Sequence, residues 1–163
     1  MDLRQEAECL QKVPLFSKLE PSKLKLLAFT SQGMTFEDQE VLFCEGDAAD
    51  SAYVILGGEV EILVETDDGP TAVGTLGRNE LFGELAILNN SPRTATLRAK
   101  GKLEVLRISD DMFLNLVSDF PAVALEVMRQ LSDKLTRTHR RMEKLQRKLQ
   151  RCEAKGGATD ETS

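Results

Sequence analysis

The residues with the most evident chemistry lie within positions 82–97 of this 163-residue chain. Gly83 and Glu84 open a short apolar run that predicts a helix over 83–88, and a polar loop then leads to Arg93. A helix N-terminus leaves backbone N–H groups unpaired and carries partial positive charge, so it attracts an anion. The guanidinium of Arg93 adds a full charge and a forked donor that matches two phosphate oxygens. Because Glu84 would repel that anion, its better ligand is a hydroxyl. We therefore predict a site for a molecule that carries an anion and a sugar-like hydroxyl close together.

The segments Phe-Gly-Glu-Leu-Ala-Ile-Leu at 82–88 and Pro-Arg-Thr-Ala-Thr-Leu at 92–97, with Ala99, form one composite motif. It resembles the phosphate-binding cassette of the cyclic nucleotide-binding domain family, whose pattern is F-G-E-L/M-A-L-L followed by P-R-x-A-T/S-V/L-x-A. That family includes the regulatory subunits of cyclic-AMP-dependent protein kinase, cyclic-nucleotide-gated channels and the bacterial catabolite activator protein. The motif is specific because it couples a Gly-Glu helix start to a Pro-Arg strand start at fixed spacing. The resemblance covers about residues 13–140.

The resemblance implies a role for each residue of the cassette. Glu84 would bind the ribose 2′-hydroxyl, Arg93 would bind the exocyclic phosphate oxygens, and Thr94 would lie near the base. The backbone amides that would line the phosphate are those of Gly83, Leu85, Ala86 and Ala95. Phe82 and Pro92 complete the predicted ligand-binding set. The alternative is that Glu84 and Arg93 form a buried ion pair that only links a turn to a strand.

The choice of base has two candidates. Thr94 occupies the place where cyclic-GMP-responsive relatives often carry a threonine whose hydroxyl bonds guanine. Relatives that bind cyclic AMP also carry a hydroxyl there. We expect cyclic AMP, with cyclic GMP as the alternative, and we expect no other cofactor.

The composition is that of an ordinary globular protein, with 41% apolar and 29% charged residues and a net charge of −6. There is no apolar run long enough to cross a bilayer, and the N-terminus has no signal-peptide pattern. Three widely spaced cysteines form no disulfide or metal pattern, which favours a reducing, cytoplasmic compartment. A lone histidine argues against a multi-histidine metal site, and no nucleophile–base set is evident. We therefore expect neither an enzyme nor a metal protein.

The pattern of the chain changes twice, which divides one predicted domain, 1–152, into three parts. Residues 1–32 read as helices, residues 33–108 as short strands separated by turns such as Gly57-Gly58, and residues 109–152 as helices again. This indicates a mixed α+β, mainly β, fold: an antiparallel β-roll or jelly roll with an inserted cassette helix. The N-terminal helices fit either a movable bundle or a packing cap. Residues 153–163 are polar and small, which predicts a disordered tail.

The last predicted helix carries an apolar stripe that outlasts the rest of the domain. Its members alternate by three and four residues, which is coiled-coil spacing: Met128, Leu131, Leu135, Thr138, Met142, Leu145, Leu149 and Cys152. We therefore predict a homodimer through this helix. With Leu135 as an a position, the g positions are basic and the e positions carry no acid, so charge does not specify strand orientation.

Thr138 interrupts the apolar stripe with a hydroxyl. In the bacterial activator a threonine at the corresponding point touches the adenine of the bound nucleotide. The resemblance implies that Thr138, and secondarily His139, caps the base, with Arg137 a weaker candidate. The alternative is a polar residue that sets the coiled-coil register.

The sequence thus predicts a cyclic nucleotide sensor that signals allosterically to an effector protein. The bacterial activators continue from the final helix into a helix-turn-helix domain, for which no residues remain here, so sequence-specific DNA binding is not expected. No membrane partner is expected either. The alternative from another class is a structural or assembly protein that dimerises through the coiled coil and whose cassette binds nothing.

Overall fold

An antiparallel six-stranded sheet forms the body of the protein in the computed structural model, which describes the backbone of residues 3–160 and the side chains of residues 7–154. Its strands are β1 (Gln32–Phe36), β2 (Val41–Phe43), β3 (Ser51–Thr66), β4 (Gly69–Leu76), β5 (Leu81–Phe82) and β6 (Thr96–Ser109). The two longest strands, β3 and β6, pair along most of their length. Strands β1 and β2 both pair with β6, and β4 and β5 pair with β3. The predicted antiparallel β-roll is confirmed.

The hydrophobic core is built on these two paired strands. Buried side chains alternate with less buried ones along most of β6, whereas residues 51–55 at the start of β3 are all buried, so this part of the strand is covered on both faces. The cluster comprises Tyr53, Ile55, Val60, Leu76, Phe82, Leu97, Ala99, Leu103 and Val105. Fully burying an aliphatic or aromatic side chain of this size contributes about 1.5–3 kcal/mol. Packing in the core therefore fixes the register in which β3 pairs with β6. This register places the first residues of β3 beside the loop that precedes β6.

The prediction that Gly57-Gly58 turns the chain is wrong. β3 continues through both glycines, and its pairing with β6 changes register on either side of Gly57. Gly58 has a φ of 92°, and a Cβ added there would lie 2.3 Å from the carbonyl oxygen of Lys102. Glycine is needed at this position because the bulge brings two backbones into close approach, not because the chain reverses.

Five helices in the described residues flank the sheet. Helices α1 (Leu3–Gln11) and α2 (Pro21–Thr30) precede it and pack on each other. The short helix α3 (Glu84–Leu88) stands between β5 and β6, and α4 (Asp110–Asp119) and α5 (Pro121–Asp160) follow. The hydroxyl of Ser109 accepts a hydrogen bond from the amide of Met112 at 3.3 Å, so this residue caps the N-terminus of α4.

The chain forms two compact units, and the boundary between them lies within α5: the first unit ends at Val127 and the second begins at Met128. The first contains the sheet, α1–α4 and the first two turns of α5; the second consists of the rest of α5. That helix continues to Asp160, over most of the segment 153–163 that was predicted to be a disordered tail, and residues 161–163 lie outside the described part of the chain. Among the helices described, none combines the length and the apolar character that a membrane span requires.

Candidate functional site

The cassette begins at a glycine that no other residue could replace without strain. Gly83 is the N-terminal cap of α3, and its φ of 81° lies in the left-handed region. A Cβ at this position would lie 2.7 Å from Nη1 of Arg93. The turn therefore brings the backbone of the helix start directly against the arginine. Because α3 has only five residues, its dipole is small, and the arginine supplies most of the positive charge of the site.

Arg93 is held inside the protein, with 3% of its surface exposed. Its Nη1 donates a hydrogen bond to the carbonyl oxygen of Gly83 at 2.8 Å, and its Nη2 donates to the carbonyl oxygen of Ser51 at 2.7 Å. The guanidinium carbon lies 4.1 Å from the centre of the Phe43 ring, which is a cation–π contact. The buried Nε has no hydrogen-bond partner among the described residues. Two backbone carbonyls, one at the start of α3 and one at the start of β3, thus fix the orientation of the fork.

Burial lowers the pKa of the Arg93 guanidinium from its usual value, while nearby acidic groups act in the opposite direction. An arginine stays protonated in proteins under any ordinary condition, so this shift reports the cost of desolvating the cation. A guanidinium has five N–H donors, and the two carbonyls use two of them. The group is therefore a buried cation with donor capacity left for an anion.

Asp50 lies beside this arginine and is itself largely exposed. Its carboxylate is 3.8 Å from Nη2 of Arg93 and 3.0 Å from Nη2 of Arg107. The hydroxyl of Ser51 donates to it at 2.9 Å, and this hydrogen bond, followed by the charge of Arg107, lowers the pKa of Asp50. The carboxylate is thus held as an anion, and its closest basic partner is Arg107. Arg93 is left to face the cassette.

Glu84, the first residue of α3, has only 1% of its surface exposed. A carboxylate is rarely buried this deeply unless it has a structural or binding task, since removing it from water is costly. It follows Gly83 directly in the chain, and Arg93 donates to the carbonyl oxygen of Gly83, so the buried acid is one residue from the glycine that the buried arginine contacts. A site of this kind can bind a ligand that offers hydroxyl donors to the acid and anionic oxygens to the arginine.

The polar loop before β6 is positioned by the turn at residues 44–47. The amide of Arg93 donates to the carbonyl oxygen of Asp47, and the amide of Gly46 donates to the carbonyl oxygen of Arg93, both at 2.8 Å. The regular strand β6 begins after this loop, at Thr96. Within this loop Pro92 and Thr94 are exposed.

The remaining cassette residues divide between surface and core. Leu85 is exposed, whereas Ala86 is buried and Ala95 packs against the hydrophobic core. Phe82 is buried as well, where its ring stacks on Tyr53 with a centroid distance of 5.0 Å. The structure thus brings Gly83 together with Arg93 and its loop. Phe82 lies in the core, where it also contacts the Phe43 ring that packs on Arg93. Sequence reasoning missed Phe43 and Ser51, because no local motif marks a residue that reaches Arg93 only through strand pairing.

Thr138 and His139 belong to the second compact unit, and both side chains are exposed. The Thr138 hydroxyl donates to the carbonyl oxygen of Lys134 at 2.9 Å, and Nε2 of His139 lies 3.0 Å from a carboxylate oxygen of Glu143. Their predicted contact with the base stays a prediction. In the described part of the chain no cluster of metal-ligating side chains occurs, and the three cysteines are free and exposed.

Comparison with known proteins identifies the family. The family model described as the cyclic nucleotide-binding domain matches residues 34–120, which include the cassette and all of the sheet except the first two residues of β1. The chain is 34% identical, over 66% of its length, to the cAMP-dependent protein kinase regulatory subunit of Blastocladiella emersonii, of which it covers 27%. It is 29% identical, over 81% of its length, to the CRP-like cAMP-activated global transcriptional regulator of Mycobacterium tuberculosis, of which it covers 59%. The sensor domain of the transcriptional regulator DNR from Pseudomonas aeruginosa superposes with a TM-score of 0.69 at 26% identity, covering 86% of this chain and 93% of that one.

The protein belongs to the cyclic nucleotide-binding domain family, as the resemblance of the cassette indicated. The chain spans between about a quarter and three fifths of the length of these two curated relatives. What it shares with them is therefore the nucleotide-binding domain.

Proposed function

We propose that the protein is a sensor that binds cyclic AMP in the cassette and passes the binding signal to an effector protein, without catalysis. The observation that supports this most directly is the buried guanidinium of Arg93, oriented by Gly83 and Ser51 at the start of α3. A buried cation with unused donors is costly unless an anion is bound there for part of its working cycle. A cyclic phosphate supplies that anion, and the ribose next to it supplies a hydroxyl for Glu84.

The mechanism depends on how binding changes the surroundings of Arg93. The guanidinium is bonded to the carbonyls of Gly83 and Ser51, which belong to the cassette and to the start of β3. A phosphate that accepts hydrogen bonds from the same N–H groups would compete with the two carbonyls. It would thereby change the contact that Arg93 makes between the cassette and the sheet. Such a ligand can transmit a signal only if it binds one arrangement of the protein more tightly than another. The output would pass to a partner through the N-terminal helices or through α5.

Cyclic AMP is the preferred ligand in this proposal. Two relatives are named as the regulatory subunit of a cAMP-dependent protein kinase and as a cAMP-activated transcriptional regulator. Thr94 is exposed beside Arg93, so its hydroxyl is available to a base. That contact suits cyclic GMP as well, and direct comparison of the two ligands decides between them.

Binding of the ribose by Glu84 predicts a specific coupling. Replacing cyclic AMP by its 2′-deoxy analogue should weaken binding to the unmodified protein by about tenfold to a hundredfold, since a hydrogen bond to a charged group contributes about 1.5–3 kcal/mol. In Glu84→Gln, which keeps the shape of the side chain, the two ligands should differ far less. Calorimetric titration of both proteins with both ligands measures this coupling.

The matched control is Glu59→Gln, which removes an exposed acid from β3 far along the strand and should retain the full difference between the ligands. If the unmodified protein binds both ligands equally, or if Glu84→Gln discriminates as strongly as the unmodified protein, Glu84 does not bind the ribose.

We also propose that α5 pairs two copies of the chain. Beyond Leu131 its apolar side chains are exposed in a single chain: Leu135, for example, has 71% of its surface exposed, and Met142, Leu145 and Leu149 are also more than half exposed. A long exposed apolar stripe at heptad spacing, interrupted here only at Thr138, is unfavourable in water unless it is covered. A second copy of the same helix covers it with the same spacing.

The dimer is expected to dissociate when a charge enters the stripe. Leu145→Glu should shift the protein from twice the mass of one chain to a single chain at micromolar concentration, because an unpaired buried carboxylate costs several kcal/mol. Gln150→Glu adds the same charge at an exposed position outside the stripe and should leave the dimer intact. Light scattering coupled to gel filtration gives both masses.

The relative orientation of the two α5 helices can be tested on the same purified dimer. Cys152 continues the stripe and is free, so mild oxidation should link two parallel, in-register helices through this residue. A dimer that forms no such link is antiparallel or uses another surface. A dimer that binds no cyclic nucleotide would favour the second function, a structural or assembly protein, which the exposed stripe on α5 also supports.

A further inference from the structure

Helix α5 carries a one-signed basic face in addition to its apolar stripe. In the heptad frame in which Leu135, Met142 and Leu149 are a positions, six basic residues within 140–151 fall at the neighbouring positions c, f and g. They are Arg140, Arg141, Lys144, Arg147, Lys148 and Arg151, and all are exposed. Three heptad positions that lie side by side on the helix surface thus carry cations only.

This face differs from an ordinary solvated helix surface. Exposed helices usually alternate acids and bases, so that charges three and four residues apart attract each other. Here Arg140 and Lys144, Lys144 and Lys148, and Arg147 and Arg151 are like charges at a separation of four residues, so each pair destabilises the helix slightly. The acid of this region, Glu143, lies at position b and contacts His139.

The six side chains also lack internal compensation. Within the described part of the chain, none of them forms an ion pair, whereas Arg129 earlier in the helix pairs with Asp133 at 3.2 Å. Twelve residues of α-helix are about 18 Å long, so the face is a short rod that presents one cation about every 3 Å along its axis. An extended polyanion with a regular charge spacing matches that geometry.

We infer that this basic face binds the phosphodiester backbone of double-stranded nucleic acid without sequence preference. Four of the six residues are arginines, whose forked donors suit phosphate oxygens. The segment 128–152 contains no aromatic residue, and in the proposed dimer the apolar stripe is covered, so the helix lacks the hydrophobic face that insertion into a lipid surface requires. Only the argument against a lipid surface rests on the proposed dimer, because it requires the apolar stripe to be covered. A parallel dimer would carry twelve such cations.

The rest of the chain limits where the nucleic acid can bind. Residues 1–127 contain about twice as many acidic as basic side chains, so the first compact unit repels a polyanion. Binding should therefore depend on the helix alone and weaken steeply with salt, because each phosphate contact releases a counterion. Discrimination between sequences should be small, since backbone contacts carry no base information.

The test measures anisotropy of a labelled DNA duplex of about 30 base pairs with the full chain between about 50 and 200 mM KCl. The variant K144Q/R147Q/K148Q removes three cations while keeping good helix formers. It should bind at least about tenfold more weakly at the lowest salt, with a slope of log K against log salt that is shallower by about 2–5. The control K12Q/K18Q/K25Q makes the same change in net charge on exposed lysines of the first unit and should bind the duplex within twofold of the unmodified protein.

Three results would overturn the inference: no binding of the duplex at the lowest salt, equal weakening by both variants, or binding to vesicles of phosphatidylcholine with about a quarter phosphatidylserine in place of the duplex. Titration of the same preparations with cyclic AMP reports on the cassette separately. A protein that binds the duplex but not cyclic AMP would refute the sensor proposal alone. A protein that binds cyclic AMP but not the duplex would refute this inference alone.

Discussion

Arg93→Ala should weaken binding of cyclic AMP by about 2–3 kcal/mol or more, which is tens to more than a hundredfold in affinity. The substitution removes the cation of the site, and it also releases the carbonyls of Gly83 and Ser51 that the guanidinium holds. The phosphate would lose its charged partner, and the cassette would lose its link to the start of β3. Calorimetric titration measures the loss, and circular dichroism of the variant checks that it is folded.

Two controls separate this effect from a general loss of charge or stability. Arg93→Lys keeps the charge but not the fork, so it should bind with an affinity between those of the unmodified protein and Arg93→Ala. Arg98→Ala removes an arginine from β6 whose guanidinium pairs with Glu61 at 2.6 Å, outside the cassette, and it should bind cyclic AMP normally. An Arg93→Ala protein that is folded and binds cyclic AMP as the unmodified protein does would contradict the role of this arginine.

Gly58→Ala should lower the free energy of unfolding by about 2–4 kcal/mol, which combines the strain of a left-handed backbone with a steric clash. The new methyl group would lie 2.3 Å from the carbonyl oxygen of Lys102 and 3.1 Å from the Cα of Leu103, and neither can move without disturbing the pairing of β3 with β6. The melting temperature should fall by about 5–15 °C. Thermal or urea denaturation measures the change.

Gly101→Ala is the matched control for this effect. Gly101 lies one residue from Lys102 and has a φ of 73°, but a Cβ there would meet nothing within 4 Å. It should therefore show only the cost of the strained φ, about 1–2 kcal/mol. Equal destabilisation by the two substitutions would mean that the close approach of the strands is unimportant and that only the backbone conformation matters.

The sequence predicted those features that depend on neighbouring residues. The helix start at Gly83 and the division of the chain into helices, short strands and helices again each follow from the pattern of consecutive positions. The cassette was predictable because its acid, glycine and arginine are close in the chain. The family match over 34–120 confirms that prediction at the level of the domain.

What the sequence did not predict depends on pairing between distant segments. Ser51 and Phe43 contact Arg93 because β3, β2 and the loop before β6 meet in the sheet, and no local pattern marks them. The glycines at 57 and 58 looked like a turn because a bulge and a turn require the same backbone freedom. Their context, the close approach of Lys102, exists only after β3 and β6 have paired.

Titration of the purified 163-residue chain with cyclic AMP and with cyclic GMP tests the central claim most directly. The account predicts saturable binding with one nucleotide for each chain, tighter for cyclic AMP, and a rise in melting temperature that grows with ligand concentration. The absence of both heat and thermal stabilisation at millimolar ligand, in a preparation that is folded and dimeric, would contradict the sensor function and leave an assembly protein as the better explanation.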